Sequence, residues 1–144
     1  MPLPNRVSAL ALAGIAFFVA LGASARVEEA AAEKAQGAAD GWLELVDEGN
    51  YAASWDAAAE YFKARVTKDQ WGKAARSVRE PLGTLKSRKL LSAKYTRQLP
   101  GAPDGEYVVI QYESSFANKA SAIETVTPLL DKDGRWRVSG YFIK

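Results

Sequence analysis

The spacing of apolar residues changes once along the chain. Up to Val78 they recur every three or four positions, and beyond Pro81 every second position. The first regime predicts amphipathic helices. Over residues 26–50, Ala31, Ala35, Ala38, Trp42 and Leu45 make one stripe, and Gly49 supplies a stop. A second helix is predicted over residues 51–66, with Tyr51, Trp55, Ala58 and Phe62 on one side. Asp56, Glu60, Lys63 and Arg65 fall on its other side. A third starts at Thr67, whose partner three residues on, Gln70, completes a capping box. Its apolar face is Trp71, Ala74, Ala75 and Val78, and Pro81 ends it.

The second regime predicts strands. From Leu85 to Leu99 one face carries Leu85, Leu91, Ala93, Tyr95 and Leu99, while Lys86, Arg88, Leu90, Ser92 and Lys94 take the other. "PGAPDG" is a turn, and "EYVVIQYESSF" aligns Val108, Ile110, Tyr112, Ser114 and Phe116. "SAIETVTPLL" makes a third strand whose Pro128 marks an edge or a bulge. "DKDG" then turns into a last strand, Arg135 to Ile143. The expected fold is α+β, with three N-terminal helices packed on a curved, cone-like four-stranded antiparallel meander.

Parity within the last hairpin assigns its faces. A two- or four-residue turn groups Trp136, Val138, Gly140 and Phe142 with Ile123, Thr125, Thr127 and Leu129 on the helix side. Arg135, Arg137, Ser139, Tyr141 and Ile143 then share the open side with Glu124 and Val126, a surface suited to homodimerisation. A three-residue loop reverses the assignment. On the first arrangement Gly140, Thr125 and Thr127 floor a small pocket walled by Trp136, Tyr112 and Trp55, which are the candidate ligand-binding residues. The competing reading makes Gly140 a bend in the strand and the tryptophans ordinary core.

The first 25 residues stand apart. Arg6 precedes an apolar run from Val7 to Leu21, and Ala23-Ser24-Ala25 offers the small residues a signal peptidase reads. Cleavage between Ala25 and Arg26 leaves a single domain over residues 26–144 without a membrane span, in the periplasm or secreted. The chain contains no cysteine, so it has neither disulfides nor a thiol for a lipid anchor. It contains no histidine either. Ser–His and Cys–His nucleophile pairs and the usual zinc sites are therefore closed to one copy of it. A net charge of +2, lowered by one when Arg6 leaves, gives no reason to expect nucleic acid as a partner. No cofactor, metal-ligand spacing or phosphate-binding glycine loop is expected.

The blocks "GWLELVDEGNYAASW", "LGTLKSRK", "LPGAPDGEYVVIQYESSF", "ETVTPLLDKDGRW" and "RVSGYFIK" run in order over nearly all of residues 26–144. Together they resemble an uncharacterised family of exported bacterial proteins, domain of unknown function 4019. The layout also looks like the nuclear-transport-factor-2-like superfold, which hosts binders as well as isomerases and lyases. The resemblance implies no single activity. The leading expectation is a non-catalytic exported domain that binds a small apolar ligand or a partner protein. The competing expectation is a carboxylate-dependent isomerase- or lyase-like enzyme with a pocket between helices and sheet. Carboxylates are its only acid–base pieces, the candidates being Asp56 and Glu60, one helical turn apart, and Glu124. Lys86, Arg88, Lys89, Lys94 and Arg97 fall in one segment without an acid. Three of them, Lys86, Arg88 and Lys94, share a strand face that reads as a solvated one, or as a docking site for an anionic partner.

Overall fold

The computed structural model describes residues 14–144. Four helices, α1 (Gly14–Asp47), α2 (Tyr51–Asp56), α3 (Glu60–Arg65) and α4 (Lys68–Arg79), precede a 3-10 turn at Glu80–Leu82. Four strands follow: β1 (Leu85–Thr96), β2 (Tyr107–Phe116), β3 (Lys119–Leu130) and β4 (Trp136–Ile143). They pair antiparallel in sequence order, as the α+β reading expects. α1 crosses all four strands, and its buried stripe is Ala35, Ala39, Trp42, Leu43 and Val46. The head of the expected leader lies outside the described residues. α1 is already helical at Gly14 and passes through Ala25 and Arg26 unbroken. Among the described residues no helix is long and apolar enough to cross a membrane.

The single helix expected over residues 51–66 is two short ones. Ala58 and Ala59 are fully buried at the break, and Ala59 takes an extended conformation. Its N–H donates to the Val138 carbonyl of β4 at 2.8 Å. An edge-strand carbonyl thus gains a partner, which outweighs one more helical turn. The break also separates Asp56 from Glu60, so they are not the carboxylate pair one continuous helix would present. Each has its own lysine, Asp56–Lys68 at 2.7 Å and Glu60–Lys63 at 2.9 Å. On α4 the capping box of Thr67 and Gln70 forms as predicted. The buried stripe there is Trp71, Ala75 and Arg79, while Val78 is exposed.

Three bulges decide which strand residues face the helices. In β1, Lys86 and Leu91 have no opposite residue on β2, so the alternation flips twice. Arg88 consequently sits opposite Ser114 on the helix side, not with Lys86 and Lys94 on a solvated face. In the last hairpin Asp131 bonds Arg135 across three residues, the loop length that reverses parity. Trp136 and Val138 accordingly pair with Leu130 and Pro128. Ser139 is then unopposed and parity reverses again. Tyr141 and Ile143 therefore join Val126 and Glu124 on the helix side. Gly140, Phe142, Thr125 and Thr127 face away from the helices, opposite to the expectation.

Gly140 is needed for neither a turn nor a close approach, since an added Cβ would meet only the Thr127 Cβ at 3.9 Å. Gly83 differs on both counts. Its φ of 75° and ψ of −164° belong to a region open essentially to glycine alone, and an added Cβ would lie 3.1 Å from Ala117 Cβ and Asn118 Nδ2. Urea denaturation should show Gly83→Ala losing ~2 kcal/mol or more, against ~0.5 kcal/mol or a slight gain for Gly140→Ala.

Candidate functional site

The helix-facing side of the sheet holds one polar cluster inside an apolar core. Glu124 on β3 is 0% exposed. It reaches this position because even-numbered residues of β3 face inward, beside Tyr112 of β2 and Tyr141 of β4. Arg88 Nε donates to Glu124 Oε1 at 2.8 Å, and Ser114 Oγ donates to the same oxygen. The Tyr141 hydroxyl donates to Oε2. The rest of the Arg88 guanidinium forks onto Asp47 near the end of α1, at 2.8 and 2.9 Å. Arg79 of α4 adds a third bond to Asp47 at 2.7 Å and stacks over the Phe116 ring, 4.9 Å from its centroid. Two carboxylates and two guanidiniums thus form one chain from α4 through α1 and β1 to β3.

Burial raises the Asp47 pKa, but the hydrogen bonds and charges of Arg88 and then Arg79 outweigh it, and the net direction is downward. Burial works against the Arg88 charge, yet Asp47 and Glu124 hold that guanidinium more firmly protonated than usual. Burial and the Glu124 carboxylate push the Tyr141 phenol far above its ordinary range. Tyr112 moves the same way through burial and a 2.6 Å bond to Asp40. Asp47 and Arg88 are thus held in their charged forms, and the cluster is shut. A general base needs a free lone pair within reach of a substrate. The Glu124 oxygens are instead occupied, and its side chain is sealed from solvent.

The six residues expected to line one pocket are divided between the two sides of the sheet. Trp136 packs at the rim of the core, where it lines a groove with Gly37, Gly41 and Trp42 of α1. Tyr112 is buried under α1 and committed to Asp40. The Trp55 indole N–H donates to the Val66 carbonyl at 2.8 Å, and Lys63 and Lys68 lie over its ring. Thr125, Thr127 and Gly140 lie on the uncovered face. There Phe142, Thr125 and Gln111 form a row across three strands, flanked by Ile123, Glu113 and Lys89. Phe142 is 51% exposed, and the buried Thr125 hydroxyl has no partner.

Sequence reasoning missed Arg79, Arg88, Asp47 and Tyr141 as one constellation. Its one available signal was a charged residue on an apolar period, Arg79 four positions after Ala75. A cleft between chain segments lies at the turn end of the sheet. It measures about 670 Å³ and is lined by Tyr61, Pro103, Tyr107, Leu129, Asp104 and Arg137 among others. Arg137 bridges Asp131 at 2.9 Å and Asp133 at 2.8 Å. Hydrogen bonds from the Arg137 side chain and the Arg135 N–H lower the Asp133 pKa to about 2.

Two measurements test the cluster. Glu124→Gln leaves Arg88 without its inner counter-charge and should cost ~3 kcal/mol in urea denaturation. A further Arg88→Met change should cost less than the two single losses combined. Because the Asp47 pKa is lower folded than unfolded, its contribution is complete above ~4 and fades as pH falls through the folded value. Asp47→Asn should therefore be less stable at neutral pH and show a flatter loss of stability in acid.

A sequence profile of the family described as "Protein of unknown function (DUF4019)" matches residues 38–141. No curated protein matches the chain.

Proposed function

The chain belongs to this DUF4019 family of unknown function, so its role has to be read from its own side chains, and we propose that it is an exported, non-catalytic domain that binds a partner protein through the uncovered face of its sheet. One contrast carries this reading. The buried acids are consumed by arginine and tyrosine, whereas half of Phe142 stands in solvent beside Ile123 and Thr125. A mixed surface, with Phe142 and Ile123 apolar, Thr125 and Gln111 polar, and Lys89 opposite Glu113 at its rim, has the make-up of a protein-docking patch. Export rests on the leader, and the packing is compatible with its removal. Residues 22–30 are exposed, and among the residues whose burial is described the fully buried part of α1 begins at Ala35, so cleavage after Ala25 leaves that buried stripe intact. A small ligand is the second reading, favoured by the cleft beside Tyr61, Tyr107 and Leu129, whose volume suits one.

The chain produced with its leader should yield a mature mass beginning at Arg26. Recovery only at full length would defeat the export reading. Gln111 and Glu113 are exposed, so Gln111→Arg with Glu113→Arg should leave stability within ~0.5 kcal/mol while abolishing co-purification of the partner. Undiminished co-purification, with a metabolite that raises the melting temperature of the mature domain, would replace the docking reading with the small-ligand one.

A further inference from the structure

The two edges of the sheet are defended unequally. β1 is irregular, with two bulges, and carries Lys86, Lys89 and Lys94, the devices that discourage strand pairing. On β4 the first half is covered, since the Val138 carbonyl accepts the Ala59 N–H. The second half has no such cover. Lys144 and Ile123 exchange both backbone hydrogen bonds, at 3.0 and 3.1 Å. Antiparallel alternation then directs the backbone groups of Phe142 and Gly140 at β3, and those of Tyr141 and Ile143 outward. Among the described residues no backbone or side-chain bond reaches these outward groups. Beside them lies a mostly apolar hollow of about 210 Å³ between the edge and α4, lined by Trp71, Ala74, Ala75 and Val78.

We propose that this half-strand pairs with the same half-strand of a second copy, antiparallel about a twofold axis through Phe142. The unpaired groups are self-complementary on that axis. Tyr141 exchanges both backbone bonds with the partner's Ile143, and Ile143 does so with the partner's Tyr141. The side chains agree with the backbone. The two Phe142 rings meet side by side on the uncovered face, joining the two copies' docking patches, and the partner's Ile143 enters the hollow by α4. Pairing needs only residues 140–144, so it stops short of the Val138–Ala59 bond. The sequence expectation of a homodimer is thereby moved from the open face to the edge. The uncovered faces of two copies become one continuous surface, which extends the docking reading without depending on it.

The chain has no cysteine, so a single introduced thiol gives an unambiguous test. Phe142 would face its symmetry mate as a non-hydrogen-bonded pair, with Cα atoms ~4.5 Å apart and within disulfide reach. Phe142→Cys in the mature chain should give mostly covalent dimer under mild oxidation, while Lys89→Cys stays monomeric. Ile143→Pro removes an outward N–H that the β3 ladder does not use. It should weaken self-association by tenfold or more in sedimentation equilibrium, with the circular dichroism of the fold retained. A monomer at every concentration overturns the proposal, including one whose β4 edge captures a foreign strand. So does a dimer that survives Ile143→Pro and cross-links no faster at position 142 than at 89. That last result indicates face-to-face pairing and leaves the docking reading to its own test.

Discussion

The structure depends on neutralising Glu124. An isolated carboxylate with no exposure would be prohibitively costly in an apolar core. The chain meets the constraint with Arg88, but one guanidinium brings an equal charge inward, so Asp47 must follow, and Arg79 after it. Each member comes from a different element: α1, α4, β1 and β3. Tyr141 and Ser114 add the hydroxyls that complete the Glu124 shell. Such a network contributes less net stability than its number of bonds suggests. It does make the relative placement of these elements all-or-nothing, because shifting one leaves a buried charge behind.

Much of the architecture was legible because it rests on local chemistry. The change of period at Pro81, the Thr67 capping box and the inward set Val108 to Phe116 all follow from neighbours a few residues apart. The reading failed where parity had to be carried across an irregularity. Lys86, Leu91 and Ser139 each insert one residue, and each insertion exchanges the faces beyond it. Nothing in "KSRKLLSAK" or "RVSGYF" marks those positions, since a bulge is set by its partner strand as much as by its own residues. Arg88 was thus placed in solvent, Gly140 inside and Tyr141 outside. The candidate site failed with them, as it required Thr125 and Thr127 to share a side with Tyr112.

Arg79 shows a different limit. Its place on α4 is four after Ala75, which periodicity alone predicts to be inward. Hydrophobicity argued for Val78 instead, and the choice between them turns on an acid thirty-two residues earlier. Arginine tolerates the inward position because its planar face stacks on Phe116 while one nitrogen holds Asp47. A lysine could not do both.

The same pairing logic separates the interior from the surface as places for chemistry. Inside, every charge of the cluster is matched by one the fold itself supplies, so a substrate acid or base would compete with bonds that hold the elements together. Outside, the fold leaves groups unmatched where its own elements run out. The Ala57–Ala59 break covers the sheet edge only as far as Val138, and Thr125 and Phe142 lie on the sheet face turned away from the helices. What remains is a strand edge with hydrogen-bonding capacity and the apolar side chains of Phe142 and Ile123 beside it. Water satisfies the first and is displaced at little cost by a strand, while the second gains by leaving water. The proposed recognition therefore falls on the second half of β4, where one aromatic residue belongs to both proposed surfaces.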